Sequence, residues 1–387
     1  MAGAKKRNAY RGLIVCMLVL LALAALAYAG YVYTQKDLDR AVKENAEQVQ
    51  QINAARTADY NAAVSERNRQ QAQQAAQVDE SWPAPAPQGW DVLDLSSLPV
   101  SAGSQISATR QDMLQGGALV VNRWHPMPAD LTDDMMVSIS RHSREDKDKT
   151  TNIPTKNSSV MLMPDAVNAL MRLYQDARNT GLDMDNIIVE EGYRTMETQT
   201  QNWSQKAEKY SSRYTGDKLT EKVINEGVAY PGTSDFQSGM SIRLYNYKSG
   251  DKTFSDTPLH ETEQGRWLYN NCWKYGYVFR FPVQGFPYPD TADKSYVTGI
   301  SQSMKVYRYV GKANATAMQA MNMCLEEYIQ YLIDHPHIAV FENGELRCEI
   351  YRLSDPYGDA MVTIPSGASS YTVSSDNVGG MIVASQF

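Results

Sequence analysis

Hydrophobic and polar positions divide the chain into stretches of different rhythm. An apolar run from Leu13 to Tyr33 carries no charge and follows the basic residues Lys5, Lys6, Arg7 and Arg11. About 20 residues of helix span a bilayer core. The pattern predicts a transmembrane anchor over 13–33, with a cytoplasmic tail of residues 1–12 and the bulk of the chain outside the cell. The rival reading is a cleaved signal peptide, because Ala27-Tyr28-Ala29 fits a small-x-small cleavage site. From 34 to 79 the composition turns to Gln, Ala, Glu, Asn and Arg, which favours helix. Leu38, Val42, Val49 and Ile52 sit at coiled-coil steps. This predicts a helical stalk, either a solvated spacer or a seam through which two copies form a homodimer.

"SWPAPAPQGW" (81–90) stops that helix, and residues 80–115 read as a Pro- and Ser-rich linker. The compact domain is expected over 116–335. Leu119–Asn122 reads as a short strand. Val167, Leu170, Met171 and Tyr174 recur at helical steps between Asp165 and Gly181. "NIIVE" (186–190), "GYVFRFP" (276–282) and "VYRYV" (306–310) read as strands. Residues 267–275 and 313–332 read as helices. Helices and strands interleave, which predicts an α+β fold with a mixed or antiparallel sheet and flanking helices. After His337 the rhythm turns to alternation around Asn343-Gly344, a hairpin signal. Residues 336–387 therefore read as a small C-terminal β appendix.

The charge balance of −7 argues against nucleic acid as a partner. Cys16 falls in the apolar run. Cys272, Cys324 and Cys348 show no CxxC spacing, which argues against a zinc cluster and leaves one disulfide open. The five histidines, His125, His142, His260, His335 and His337, read as surface or capping residues.

Five ordered stretches carry a resemblance. "LVVNRWHPMP" (119–128), "VEEGYRTMETQ" (189–199), "AYPGTSDFQSGMSIRL" (229–244), "WLYNNCWKYGYVFRFP" (267–282) and "KVYRYVG" (305–311) resemble segments of VanY-type D-alanyl-D-alanine carboxypeptidases. The likeness covers about residues 116–335. It implies a zinc peptidase fold of bacterial cell envelopes. In that family the metal is held by a His and an Asp seven residues apart and a second His, with a Glu as base. The positions that match them here are Phe236, Arg243, Val306 and Ser303. Phe and Val offer no lone pair, a fixed cation repels a dication, and Ser holds no proton near neutral pH.

The resemblance therefore implies a degenerate member with zinc absent and no catalytic residue, binding peptidoglycan stem peptides or an envelope protein without cleaving them. Arg194, Ser234, Gln237 and Arg308 match positions that would face such a ligand, with a purely structural role open for each. Phe236, Val306 and Tyr307 are expected to fill the emptied metal position, and Arg243 to pair with Asp235, Glu191 or a ligand carboxylate. Two other readings stand beside this one: a working peptidase with relocated catalytic residues, and a structural or assembly protein acting through its stalk.

Overall fold

The computed structural model describes residues 17–34, 36, 37, 40, 43, 89–146 and 149–387 of the chain. The chain divides into two units, 1–58 and 59–387. In the first, Met17–Thr34 forms one helix long and apolar enough to cross a membrane, a property that membrane anchors share with signal sequences. The stalk and its seam lie outside the described residues, apart from helical Lys36, Asp37, Arg40 and Lys43.

The described residues of the second unit form thirteen strands: β1 (Trp90–Asp94), β2 (Gly103–Ala108), β3 (Val137–Ser138), β4 (Met161–Leu162), β5 (Ile187–Glu191), β6 (Ser241–Asn246), β7 (Tyr277–Phe279), β8 (Val306–Tyr309), β9 (His337–Glu342), β10 (Glu345–Ser354), β11 (Ala360–Pro365), β12 (Ser370–Ser375) and β13 (Gly380–Gln386). Its central layer is the antiparallel sheet β5-β6-β8-β7. The helix Pro164–Asn179 buries Val167, Leu170, Leu173 and Tyr174 in the same core as Ile242 and Leu244 of β6. Tyr174 is fully buried and satisfies its hydroxyl by donating to the Ile187 carbonyl at 2.9 Å. The fold is α+β, as the interleaved pattern predicts.

The terminal sheet runs β1-β9-β10-β13-β12, and the ribbon β11-β2 is paired separately. The Asn343-Gly344 hairpin joins β9 to β10, with both residues at positive φ. The structure departs from the sequence reading at residues 90–115. These hold β1, β2 and the helix Arg110–Gln115 rather than linker alone, and β1 and β2 pair with β9 and β11. Residues 119–122 form no strand. Val120 instead donates to the Asp376 carbonyl at 3.1 Å, a bond to a loop rather than to a strand ladder. The expected helix over 313–332 breaks at Asn322, whose φ of 52 ends Lys312–Met321 before Leu325–Asp334 begins. His142 lies on the helix Ile139–Glu145, and His125 and His337 are buried rather than on the surface. Cys272, Cys324 and Cys348 are free and buried. Burial pushes the Cys272 thiol up to about 12 and the other two upward as well.

Candidate functional site

The loop Ser234–Met240 and three neighbouring strands build the site. The backbone turns at Asp235–Ser238 and leaves through Gly239, whose φ of 71 suits glycine. Gln237 is fully buried and holds this turn together. Its Oε1 accepts from Gly232 N at 2.8 Å and Ser234 N at 3.4 Å. Side chains alternate along a strand, so Ser241 and Arg243 of β6 leave the core face that Ile242 and Leu244 occupy. Glu191, Arg243 and Val306 are direct neighbours across β5, β6 and β8. Three residues distant in sequence thus form one row.

Phe236 and Val306 are buried together with Phe281, and Ile300 and Met304 pack against them. The Arg194 guanidinium lies 4.4 Å from the Phe236 ring centre, and that of Arg243 lies 5.9 Å away. Both are within cation–π range. Glu191 ties the two arginines together. It accepts from Arg194 Nε, from Arg194 Nη2 at 2.8 Å and from Arg243 Nη2. Arg243 Nε also lies 2.9 Å from Glu190. Burial pushes the Glu191 carboxyl up, but the hydrogen bonds of Arg194 and the charges of both arginines outweigh it, holding the group below its ordinary range. Arg194 Nη1 donates to Gln199 Oε1 at 3.0 Å. These three bonds leave one N–H on each terminal nitrogen for a ligand.

Beneath the loop lies a second charge cluster that the sequence did not announce. Arg280 forks onto Glu326 at 2.8 and 2.6 Å, and its Nε lies 3.1 Å from Asp235. Arg308 Nη1 donates to Asp235 Oδ1 and to Ser238 Oγ, both at 2.8 Å. Its Nη2 donates to the Leu119 carbonyl at 2.7 Å. Two arginines and two carboxylates make the cluster neutral. Burial raises the Asp235 carboxyl, yet the Arg280 and Arg308 charges bring it below its usual range. Burial also lowers Arg308, and the charge of Asp235 opposes that only in part.

A cleft of about 550 Å³, including its open mouth, sits above Phe236. Its floor is Phe236, Phe281, Ile300 and Met304, and Arg123 and Arg194 flank it. The expected site residues divide. Arg194, Ser234 and Phe236 line the cleft. Arg308 and Gln237 are fully buried and outside its lining: the Arg308 donors and the Gln237 Oε1 acceptor serve the loop. Tyr307 packs on the opposite face of β8, in the main core against Phe279, because Val306 and Tyr307 alternate. It does not fill the position with Phe236. Ser303 is exposed in the loop before β8 and does not line the cleft. Arg243 pairs with Glu191 and Glu190, and Asp235 pairs with Arg280 and Arg308 instead.

The lead-in segment supplies Val121, Asn122 and Arg123 to the cleft. Asn122 Nδ2 donates to Glu326 at 3.1 Å, linking this wall to the buried cluster. The segment is held from outside by the β12–β13 loop. Asn377 Nδ2 donates to the Val120 carbonyl at 2.9 Å and the Pro126 carbonyl at 2.8 Å. Ala118 N donates to Ser374 Oγ at 2.9 Å. No sequence signal pointed to Arg280, Glu326 or Asn377 as partners of the site, because the contacts run between distant segments.

Loop, strands and cleft together form one α+β domain with a single-sided site. Residues 159–312 match the family model described as D-alanyl-D-alanine carboxypeptidase, VanY. The chain is 30% identical over 179 residues to a bifunctional D-Ala-D-Ala dipeptidase and carboxypeptidase, VanXYC, of Enterococcus gallinarum, covering 46% of this chain and 83% of that protein. It is 25% identical over 275 residues to a D-alanyl-D-alanine carboxypeptidase of Enterococcus faecium, covering 71% and 77%. The solved D,D-dipeptidase VanXYg superposes with a TM-score of 0.51 at 22% identity, over 73% of this chain and 99% of that one, and shares its fold. The chain belongs to the VanY family of D-alanyl-D-alanine carboxypeptidases.

A zinc ion needs donor side chains, and the three positions matched to the family's metal ligands, Phe236, Arg243 and Val306, offer none. Phe236 and Val306 present carbon to the site and Arg243 presents a paired cation. Among the described residues, no three His, Cys, Asp or Glu side chains gather as a metal site.

Proposed function

We propose that this chain is a non-hydrolytic member of its family, anchored by its N-terminal helix with its folded bulk outside the cell. Its cleft recognises the end of a peptidoglycan stem peptide and leaves it intact. The observation that carries this reading is the apolar cluster of Phe236, Val306 and Phe281 under the Arg194 guanidinium. Hydrolysis through zinc requires lone pairs and a base, and these positions supply neither. What they supply instead is a small apolar floor with cationic flanks. A terminal D-alanine has a matching form, a methyl group for the floor and a carboxylate for the unused N–H groups of Arg194. The ligand class follows from the relatives, whose names place D-Ala-D-Ala as their substrate.

The test uses the full chain in neutral detergent with a pentapeptide ending in D-Ala-D-Ala. Calorimetry is expected to show binding that weakens in Arg194→Ala and in Ile224→Glu, which places an acid in the cleft lining. Zinc-dependent release of D-alanine would sink the non-hydrolytic half of the reading. Failure of the peptide to bind would sink the ligand half.

A further inference from the structure

A second groove opens away from the cleft and shares none of its lining residues. It measures about 1220 Å³, including its open mouth. One wall is the helix Pro164–Asn179, along the stripe Asp165, Asn168, Arg172 and Asp176. The facing wall is the terminal sheet, through Ser370, Tyr371 and Thr372 of β12 and Gln386 of β13. Lys274, Tyr275, Tyr309 and Lys312 complete it. The sheet wall lies beyond residue 312, where the family match ends. This groove is therefore a product of the C-terminal extension.

Its chemistry differs from that of the cleft. The chain as a whole carries −7, yet the groove gathers Arg172, Lys274 and Lys312 against only Asp165 and Asp176. Asp176 accepts from the Tyr275 hydroxyl at 2.7 Å, and Lys274 donates to Asn271 at 2.8 Å. The exposed side chains of Arg172 and Lys312 have no ion-pair or hydrogen-bond partner among the described residues. Among the described residues the buried Thr372 Oγ1 also lacks a hydrogen-bond partner. Tyr371 is 49% exposed, so a flat aromatic surface is available at the wall.

Each alternative ligand class lacks something here. A peptide held by its side chains needs apolar pockets, and the only aliphatic side chains in the lining are those of Ala313 and Ala384. A divalent cation needs converging carboxylates, and no such group occurs among the described residues. Hydroxyls, amides, tyrosine faces and unpaired cations suit a sugar that carries acid groups.

We propose that this groove binds an anionic oligosaccharide, with Arg172 and Lys312 holding its acid groups and Tyr371 stacking on a ring. The proposal stands independently of what the cleft binds. The test titrates the full chain in neutral detergent with three probes: trigalacturonic acid for carboxylates, a phosphorylated maltotriose for phosphates, and maltotriose as the neutral control. At least one anionic probe is expected to bind at least tenfold more tightly than maltotriose, and the preferred probe identifies the acid group. The double variant Arg172→Glu/Lys312→Glu is expected to lose at least tenfold in affinity while its thermal unfolding stays unchanged, because both side chains are exposed. Tyr371→Ala is expected to weaken binding without altering salt dependence, which separates stacking from charge. The proposal is overturned if neither anionic probe binds, if maltotriose binds as tightly, or if the double variant binds like the wild type.

Discussion

Replacing Asp235 with alanine removes the one carboxylate shared by Arg280 and Arg308. All three side chains are buried, and the arginine nitrogens lie 3.1 and 2.8 Å from Asp235 Oδ1. In the variant Glu326 still pairs with Arg280, but Arg308 retains only neutral partners, Ser238 and main-chain carbonyls. Breaking a buried pair by removing one partner costs about 3–5 kcal/mol, because the other charge stays buried. Such a loss is a large share of the ~5–15 kcal/mol that holds a typical domain together. Urea denaturation followed by tryptophan fluorescence measures it directly. At about 2 °C or more per kcal/mol, the melting temperature is expected to fall by at least ~6 °C. A pH series adds a sign. The Asp235 carboxyl is depressed in the folded state, so its stabilisation is present above its unfolded pKa of about 3.9 and is lost as pH falls through the lower folded value. Asp235→Asn is expected to remove this part of the acid sensitivity. A loss below ~1 kcal/mol in Asp235→Ala, with unchanged acid sensitivity, would refute the claim that this pairing holds the loop.

Three further outcomes are expected. Asn377→Ala deletes the two side-chain bonds from the β12–β13 loop to the Val120 and Pro126 carbonyls and leaves the main-chain bond from Val120 N to Asp376, so it should cost about 1–3 kcal/mol and speed amide exchange across 118–126; unchanged exchange there would contradict the clamp. Gly116→Ala would place a Cβ 2.1 Å from the Val373 carbonyl oxygen, a main-chain clash, and is expected to cost at least ~1–3 kcal/mol by chemical denaturation; a neutral result would mean that β12 moves freely. Cys272, Cys324 and Cys348 are buried free thiols, so a water-soluble maleimide should label them only after unfolding; prompt labelling of any of the three in native protein would show that its packing is wrong.

Local signals in the sequence were strong where one segment determines its own conformation. The 164–180 periodicity reports a helix because one face is apolar at helical steps, and Asn343-Gly344 reports a hairpin because the turn demands positive φ. β1 and β2 escaped notice because each is half exposed and Ser-, Gln- or Asp-bearing, and their partners lie some 240 residues or more away. The break at Asn322 was hidden by helix-forming neighbours; asparagine tolerates the left-handed region without announcing it. In the site, Phe236, Arg243 and Val306 were identified individually, and the strand register places Arg243 beside Val306. The pairing of Arg243 with Glu191 was one of several options in the sequence, and the β5–β6 register selects it. For Arg308 the motif leaves a ligand-facing and a structural role open, because a motif gives position along a strand but not depth. Only the packed loop shows that its donors are consumed by Asp235, Ser238 and main-chain carbonyls.

The central claim is that apolar and cationic side chains stand where a metal would need donors. Zinc titration of the full chain by calorimetry, with elemental analysis of the purified protein, tests it most directly. The account predicts no stoichiometric zinc and no rise in melting temperature when zinc is added. One tightly held zinc per chain, with a matching gain in stability, would contradict it.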